Sequence, residues 1–171
     1  MTAYISLGAN LGEPKRQLRE ALDRLAREKG LRVSALSSIY RTAPVGPVPQ
    51  PPYLNAAAAL DTSLAPREVL DALLRAERAM GRERSVRWGP RVIDLDLLLH
   101  GDSVIGEPGL ALPHPRMHER RFVLAPLAEI APDAVHPGLR KTVAELLAAL
   151  GGEGEWGERV EGKWWEIERT P

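Results

Sequence analysis

The segment from Val92 to His100 constrains the fold of this chain most, because acidic and apolar side chains alternate at its start. Alternate side chains of an extended strand share a face and lie about 6.5 Å apart, so Asp94 and Asp96 are expected together on one face. Ile93 and Leu95 would then point to the opposite face. Oxygen donors at that separation suit a hard cation such as Mg²⁺. A half-buried strand with an acidic solvent face is the alternative interpretation.

Arginines are concentrated just before this strand, in a segment predicted to be a loop over 82–90. Arg82, Arg84, Arg87 and Arg91 lie in it or beside it. Guanidinium groups bind phosphate oxygens in pairs, so the loop is predicted to close over a polyphosphate whose inner end is held at the two aspartates. A solvated charged surface is the alternative. Because the chain has neither a P-loop nor a Gly-x-Gly-x-x-Gly sequence, binding of any nucleotide would depend on a metal ion and on arginine side chains.

Length and composition exclude several other classes of protein. A chain of 171 residues is long enough for one domain, and we predict a single domain over 1–171. The absence of cysteine excludes disulfides and thiolate catalysis and is compatible with a cytoplasmic location. The 23 basic and 23 acidic residues balance, which argues against nucleic acid or anionic lipid as a partner. The start of the chain predicts neither a signal peptide nor a membrane span.

Hydrophobic periodicity and turn residues predict the order β-α-β-β-α-β over the first hundred or so residues. Strands are predicted over 3–8, 33–42, 53–62 and 92–100, and helices from Pro14 to before Gly30 and over 66–80. The proline-rich segment 43–52 is predicted to be a long surface loop that acts as a lid. A short strand is expected at 104–105, with further helices over 122–130 and 142–150.

This order is that of a ferredoxin-like α+β fold, with a mostly antiparallel sheet, helices on one face and additional C-terminal helices. The opposite face of the sheet would be left free for a site. The same arrangement serves RNA-binding modules, which need exposed aromatic side chains on the central strands and usually a basic face. Because Phe122 is the only phenylalanine, lies outside those strands and belongs to a chain of balanced charge, RNA binding is disfavoured.

Several segments, in this order along the chain, resemble the 6-hydroxymethyl-7,8-dihydropterin pyrophosphokinase family of folate biosynthesis: 8–12, 40–44, 53–57, 87–96, 113–114 and 120–122. The sequence Arg-Trp-Gly-Pro-Arg-x-x-Asp-Leu-Asp within them is highly specific. The resemblance runs from Tyr4 to about Pro132 and leaves 151–171 without a role. It implies direct in-line transfer of the β,γ-diphosphate of ATP to the hydroxymethyl group of the pterin, with release of AMP.

For the nucleotide, the resemblance implies that Asp94 and Asp96 bind two Mg²⁺ ions that bridge the ATP phosphates. Arg82 and Arg91 would share the catalytic work with these aspartates, by holding the phosphate chain and stabilising charge as it moves to the leaving AMP. The other implied ATP-binding positions are Glu77, Arg84, Arg87, Trp88, Leu97 and His114.

For the pterin, the resemblance implies stacking between Tyr53 and Phe122, an arrangement that suits a flat heterocycle. The Asn55 amide would offer a donor and an acceptor to the ring edge. The other implied contacts are with Thr42, Ala43, Val45, Trp88 and Arg120. Seen alone, Phe122 would be interpreted as a core residue. The expected partners are the two small-molecule substrates, and the chain is expected to act as a monomer.

Some side chains have simpler interpretations. His114 and His118 have the spacing of a zinc pair, but Pro115 disfavours a helix there. The tryptophans of the tail are expected to cover the sheet or the core: Trp156, Trp164 and Trp165. Two other functions remain open: a Mg²⁺-dependent phosphohydrolase that uses the same aspartates, and a ferredoxin-like binding module without turnover.

Overall fold

The computed structural model describes residues 1–44, 46–47, 49–81, 92–151 and 157–167. The strands are β1 (Thr2–Ala9), β2 (Leu31–Leu36), β3 (Ile39–Thr42), β4 (Tyr53–Thr62), β5 (Asp94–His100), β6 (Ile105–Glu107), β7 (Leu110–Leu112), β8 (Val135–His136), β9 (Lys141–Thr142) and β10 (Gly157–Glu161). The helices are α1 (Pro14–Ala26), α2 (Pro66–Ala79), α3 (Arg121–Ile130) and α4 (Val143–Ala149), with a 3-10 helix over Met117–Glu119.

The main sheet has six strands within the described residues, and neighbouring strands are antiparallel. Its order is β10-β3-β4-β1-β5, and β2 pairs with β4 off this path. The connection from β1 through α1 to β2 therefore spans β4, which lies between the two strands it links. This is the split β-α-β arrangement of the ferredoxin-like fold, as predicted.

The strand expected over 33–42 is in fact two strands, because the backbone leaves the ladder at Ser37 and Ser38. The Ser37 Oγ accepts a hydrogen bond from the Ala57 N–H at 2.8 Å, so a side-chain oxygen takes the place of a backbone partner. The Ser38 N–H donates at 2.8 Å to the Glu129 carboxylate of α3. Side chains that compete for backbone partners interrupt a strand without changing its hydrophobic pattern.

Helices α1 and α2 cover one face of the sheet, as predicted. Each begins with proline in its first turn, where a missing N–H costs little. Leu18, Leu22 and Leu25 of α1 repeat at helical spacing, are fully buried and share one core with Ile5 of β1. These helices thus bury the face of β1 and β5 that carries the apolar side chains of the alternating pattern.

Helices α3 and α4 cover part of the opposite face. Leu124 and Leu127 of α3 pack with Ala57 and Leu98 of the sheet and with Val143 of α4 in a second core. Both helices were predicted, but the expectation that this face stays free holds only for the part of the sheet beside Asp94 and Asp96. Periodicity identifies an apolar stripe on a helix and does not say which surface the stripe will cover.

Four strands of the C-terminal half were not predicted: β7, β10, and the short pair β8 and β9. β10 pairs with β3, and β7 pairs with β6 in a separate hairpin to which the strand expected at 104–105 belongs. Trp164 is buried and Trp165 is half-buried against the first core, as expected, whereas Trp156 lies outside the described residues. None of the helices in the described part of the chain has the length and apolar character of a membrane-spanning segment.

Candidate active site

Asp94 and Asp96 extend from β5 on the face of the sheet that is opposite α1 and α2. Leu95 between them is buried in the first core, at 4% exposed, whereas both aspartates are half-buried. In the pairing of β5 with β1, Asp94 lies opposite Gly8 and Asp96 opposite Ser6. The prediction that the aspartates share a face is confirmed, and their small neighbours leave the sheet surface open beside them.

A cavity of about 640 Å³, here called the larger cavity, lies over this open part of the sheet. It is lined by β1, β3, β4 and β5 on one side and by residues 116–122 on the other. Of the predicted pterin-binding residues it contains Thr42, Ala43, Tyr53, Asn55, Arg120 and Phe122, and of the predicted metal ligands Asp94 and Asp96. The fold therefore brings together two groups that the sequence places far apart.

Sequence reasoning missed several residues of this cavity. Ser6 and Gly8 form part of its floor, and Arg116, Glu119 and Arg121 form part of its wall. Alternation along β1 could have identified the floor residues, since they share the face of that strand which does not enter the first core. All three arginines of 116–121 line the cavity, and no local pattern in this segment indicates that they would.

The Asn55 side chain is held in one orientation by its neighbours. Asn55 and Thr42 are 7% and 3% exposed, and the Asn55 Nδ2 donates a hydrogen bond to the Thr42 Oγ1. A Cβ at Gly8 would lie 3.0 Å from the Asn55 Oδ1, so glycine allows the amide to approach the floor of the cavity. A buried amide with its orientation set in advance is suited to reading the edge of a polar heterocycle.

Two aromatic rings enter the larger cavity from different sides. Tyr53 comes from the start of β4, and Phe122 comes from the first turn of α3. Phe122 also packs against the second core, so one part of the ring contacts the core and another part lines the cavity. The Arg120 guanidinium carbon lies 5.6 Å from the centroid of the Phe122 ring, within the range of a cation–π contact.

Glu77 of α2 does not line the larger cavity but lies beneath the aspartates. Its side chain is buried, at 2% exposed, and its Oε1 accepts a hydrogen bond from the Leu95 N–H at 3.0 Å. Leu95 separates Asp94 from Asp96, and among the described residues β5 is the outer strand at that side of the sheet. Glu77 therefore accepts the Leu95 hydrogen bond that a neighbouring strand would otherwise accept. This contact fixes the backbone between the two carboxylates.

A second cavity of about 360 Å³, here called the smaller cavity, lies on the outer side of β5. It is lined by Leu70 of α2, by Leu97 and Asp96 of β5, and by His114. Leu97 and His114 are two of the predicted nucleotide-binding residues. Because Asp96 also lines the larger cavity, the two cavities meet at one carboxylate.

His114 is oriented toward Asp96 by backbone contacts. Its backbone N–H donates to the Leu98 carbonyl at 2.9 Å, and its ring Nδ1 accepts from the backbone N–H of Arg116 at 3.2 Å. The Nε2 then lies 4.0 Å from the Asp96 Oδ1. Burial, assisted by the positive charge of Arg120, lowers the pKa of His114 from 6.5 to about 4. The ring of the ligand-free protein is therefore neutral at neutral pH, and because Nδ1 accepts a hydrogen bond, the ring proton is on Nε2.

This lowered pKa predicts how His114 titrates. The folded protein binds the proton less tightly than the unfolded chain does, so the stability gained from a neutral ring is present above pH 6.5 and is lost as the pH falls toward 4. In NMR spectra of the ligand-free protein, the His114 ring resonances are expected to titrate with a midpoint near 4, with His114→Gln identifying the signal. A midpoint near 6.5 would contradict the buried, Asp96-facing ring.

Part of the predicted site lies outside the described residues. These positions are Val45, Arg82, Arg84, Arg87, Trp88 and Arg91. The proline-rich segment is described in part: the Asn10 side chain donates to the Gln50 Oε1 at 2.8 Å and to the Pro51 carbonyl at 2.9 Å. The end of the predicted lid is thus held against the end of β1.

The arrangement of the two aspartates suits Mg²⁺ better than it suits a metal that is bound by protein ligands alone. Among the residues that the structure describes, no group of three or more His, Cys, Asp or Glu side chains could hold a metal ion. His118 lies beside His136, with ring centroids 6.1 Å apart, and does not pair with His114 as a zinc site would require. Mg²⁺ commonly takes one or two carboxylates, water and substrate phosphates, so two aspartates facing a cavity fit it.

Comparisons with known proteins agree with this geometry. The family model described as 7,8-dihydro-6-hydroxymethylpterin-pyrophosphokinase matches residues 4–132. The 2-amino-4-hydroxy-6-hydroxymethyldihydropteridine pyrophosphokinase of Pseudomonas aeruginosa is 48% identical over 151 residues, which cover 88% of this chain and 93% of the relative. The protein of the same name from Bacillus subtilis is 49% identical over 128 residues, which cover 75% of this chain and 77% of the relative.

Solved structures provide a comparison of the fold. A chain of wild-type Plasmodium falciparum HPPK-DHPS with pteroate matches with a TM-score of 0.69 at 14% identity. The match covers 86% of this chain and 44% of the solved chain, so this chain spans less than half of that protein. At this identity the likeness shows the fold alone.

Proposed function

The chain belongs to the 7,8-dihydro-6-hydroxymethylpterin-pyrophosphokinase family, and we propose that its two adjoining cavities hold the pterin and the ATP of the family's reaction. The protein is a pyrophosphokinase of folate biosynthesis that transfers diphosphate from ATP to hydroxymethyldihydropterin. The observation that carries the proposed arrangement is the position of Asp96, which lines both cavities. A group passed from one substrate to the other has to cross near this side chain.

The pterin binds in the larger cavity, with its ring between Tyr53 and Phe122 and its edge on Asn55. The hydrogen bond from Asn55 to Thr42 supports this arrangement, because it leaves the amide oxygen and the second amide hydrogen for a ligand. Thr42, Ala43 and Arg120 line the same cavity. Val45 and Trp88, which lie outside the described residues, complete the set on the strength of the sequence resemblance.

The nucleotide occupies the smaller cavity and extends its phosphates toward the aspartates. Leu97 supplies apolar surface there, and His114 supplies an N–H donor that faces Asp96. Asp94 and Asp96 hold two Mg²⁺ ions, which when bound neutralise the phosphates and lower the pKa of the attacking hydroxyl. Glu77 acts from beneath by holding the Leu95 backbone.

Transfer proceeds by attack of the pterin hydroxymethyl oxygen on the β-phosphorus of ATP. The hydroxyl gives up its proton to solvent water, and its oxygen forms the new bond to the β-phosphorus. The bond from the β-phosphorus to the AMP oxygen breaks in line, and AMP leaves with that electron pair. The protein contributes mainly by orienting the two substrates and by stabilising charge. We assign the stabilisation of charge on AMP to Arg82 and Arg91, with Arg84 and Arg87 binding the outer phosphates, from the arginine-rich sequence before β5.

One chain is the proposed working unit. The proposed substrate contacts all come from one chain, so the proposed site needs no second copy. The two hydrophobic cores lie on the two faces of one sheet, which supports a single domain over 1–171. We place the protein in the cytoplasm, where its substrate ATP is available.

Nucleotide analysis after incubation with ATP, Mg²⁺ and hydroxymethyl-dihydropterin tests the function. The expected result is AMP in amounts equal to the pterin diphosphate formed, and loss of both when EDTA removes the metal. ADP would indicate an ordinary kinase, and phosphate released without pterin would indicate a phosphohydrolase. The absence of any nucleotide turnover would leave only a binding module.

A further inference from the structure

The C-terminal segment, defined here as Gly157–Ile167, lies outside the part of the chain that matches the family model. Its strand β10 pairs with β3, so that Gly157 lies opposite Thr42. On its other side Thr42 lies opposite Tyr53 of β4. The strand that carries Thr42 is thus held between the substrate-facing strand β4 and a strand from the end of the chain.

Thr42 connects this segment to the larger cavity. The Thr42 Oγ1 accepts the hydrogen bond from the Asn55 Nδ2, and both side chains line that cavity. β3 has only four residues, Ile39–Thr42, so its position depends strongly on the strands beside it. A shift of β3 relative to β4 would move Thr42 and release the Asn55 amide from its orientation.

The far part of the segment is anchored to the protein at several points. Trp164 is 3% exposed, its Nε1 donates to the Ser37 carbonyl at 2.8 Å, and its own carbonyl accepts from the Arg19 Nε at 2.8 Å. The Trp165 Nε1 donates to the Asp23 Oδ1 of α1 at 2.9 Å. Ser37 lies at the break that begins β3, so Trp164 holds one end of β3 while Gly157 holds the other.

Gly157 approaches β3 more closely than a residue with a side chain could. A Cβ at this position would lie far inside van der Waals contact with the Arg41 carbonyl oxygen and 2.9 Å from the Thr42 Cγ2. Gly162 of the same segment has open space around it, with nothing within 4 Å of a Cβ. The two glycines therefore differ in whether an added methyl group disturbs β3.

We propose that the C-terminal segment is a positioning element for the pterin wall, in which Gly157 and Trp164 hold β3 so that Thr42 orients the Asn55 amide. This rests on the proposed binding of the pterin in the larger cavity. β10 and β5, the strand that carries both aspartates, lie at opposite ends of the strand order of the main sheet. Disturbing the segment should therefore weaken pterin binding and leave nucleotide binding unchanged.

The test measures two affinities for each variant of the full chain. Fluorescence titration gives the Kd for hydroxymethylpterin, and calorimetry gives the Kd for Mg²⁺ with α,β-methylene-ATP. Gly157→Ala is expected to weaken pterin binding about fivefold, the effect of misplacing one hydrogen bond, without changing the nucleotide Kd. Gly162→Ala is the matched control and is expected to leave both affinities unchanged. Trp164→Phe, which keeps an aromatic ring but removes the indole N–H, is expected to follow Gly157→Ala in direction.

The outcomes separate this inference from the site assignment. Asn55→Ala removes the amide itself, so it must weaken pterin binding if the pterin occupies the larger cavity. Weakening by Asn55→Ala with no effect of Gly157→Ala or Trp164→Phe would overturn the positioning role alone. No effect of Asn55→Ala would overturn the site assignment and the inference together. Equal weakening of both ligands by Gly157→Ala, together with a lower Tm, would mean that the segment only stabilises the fold.

Discussion

Asp96→Ala is expected to lower kcat by about a thousandfold while the protein remains folded. Metal coordination near a transferring phosphate contributes several kcal/mol to the transition state, and about 4 kcal/mol corresponds to this change in rate. Asp96 is the carboxylate that lines both cavities, so its loss affects the point where the two substrates meet. Its side chain is 32% exposed and faces a cavity, so truncation leaves no void in either core.

Asp61→Ala is the matched control for this substitution. Asp61 is on β4, at a position that alternation places on the same face of the sheet as Asn55, and it forms an ion pair with Arg32 at the other end of the sheet. We expect its removal to change kcat less than twofold, since an exposed ion pair contributes little. Steady-state rates over a range of Mg²⁺ concentrations provide the comparison. An Asp96→Ala protein that keeps the wild-type rate at every Mg²⁺ concentration would refute the metal-binding role.

The alternation around Asp94 and Asp96 made that part of the site predictable from sequence. A strand allows only two faces, so burial of Leu95 on one face assigns the aspartates to the other without knowledge of the rest of the fold. Helices α1 and α2 were predictable for a similar reason, because their apolar stripes are periodic and their first turns carry proline.

Glu77 shows what local patterns do not reveal. The resemblance placed it near the nucleotide, whereas the structure gives it a buried contact with the backbone of β5. That contact depends on β5 being an outer strand whose N–H faces α2, and no local signal in α2 encodes it. The break at Ser37 has the same origin, since its partners come from β4 and α3.

The C-terminal strand shows a second limit. The sequence Gly157–Glu161 is short, polar and mostly exposed, so it lacks the alternation that marks a half-buried strand. It becomes a strand because β3 presents an unpaired edge, which is a property of the assembled sheet. The same reasoning explains why sequence analysis assigns no role to 151–171: the contacts of Gly157–Ile167 with β3 and α1 appear only after the sheet has formed.

Phe122→Leu is expected to weaken pterin binding about thirtyfold and to leave nucleotide binding unchanged. Leucine keeps apolar bulk against the second core but removes the flat ring, so the loss reports stacking and not folding. The stacked face and the apolar area that it buries correspond to about 2 kcal/mol, which gives this factor in Kd. Arg120, whose guanidinium lies over the ring, would also lose its cation–π partner.

Phe122→Tyr is the matched variant, because it keeps an aromatic face at the same position. Its pterin Kd is expected to stay within about threefold of wild type, while the Phe122→Leu protein keeps a wild-type Tm. The Kd for hydroxymethylpterin by fluorescence titration and the Tm by calorimetry are sufficient to decide. If the leucine and tyrosine variants bind the pterin equally well, the ring is not a stacking surface. Phe122 is then only a core residue, as its packing against the second core would suggest.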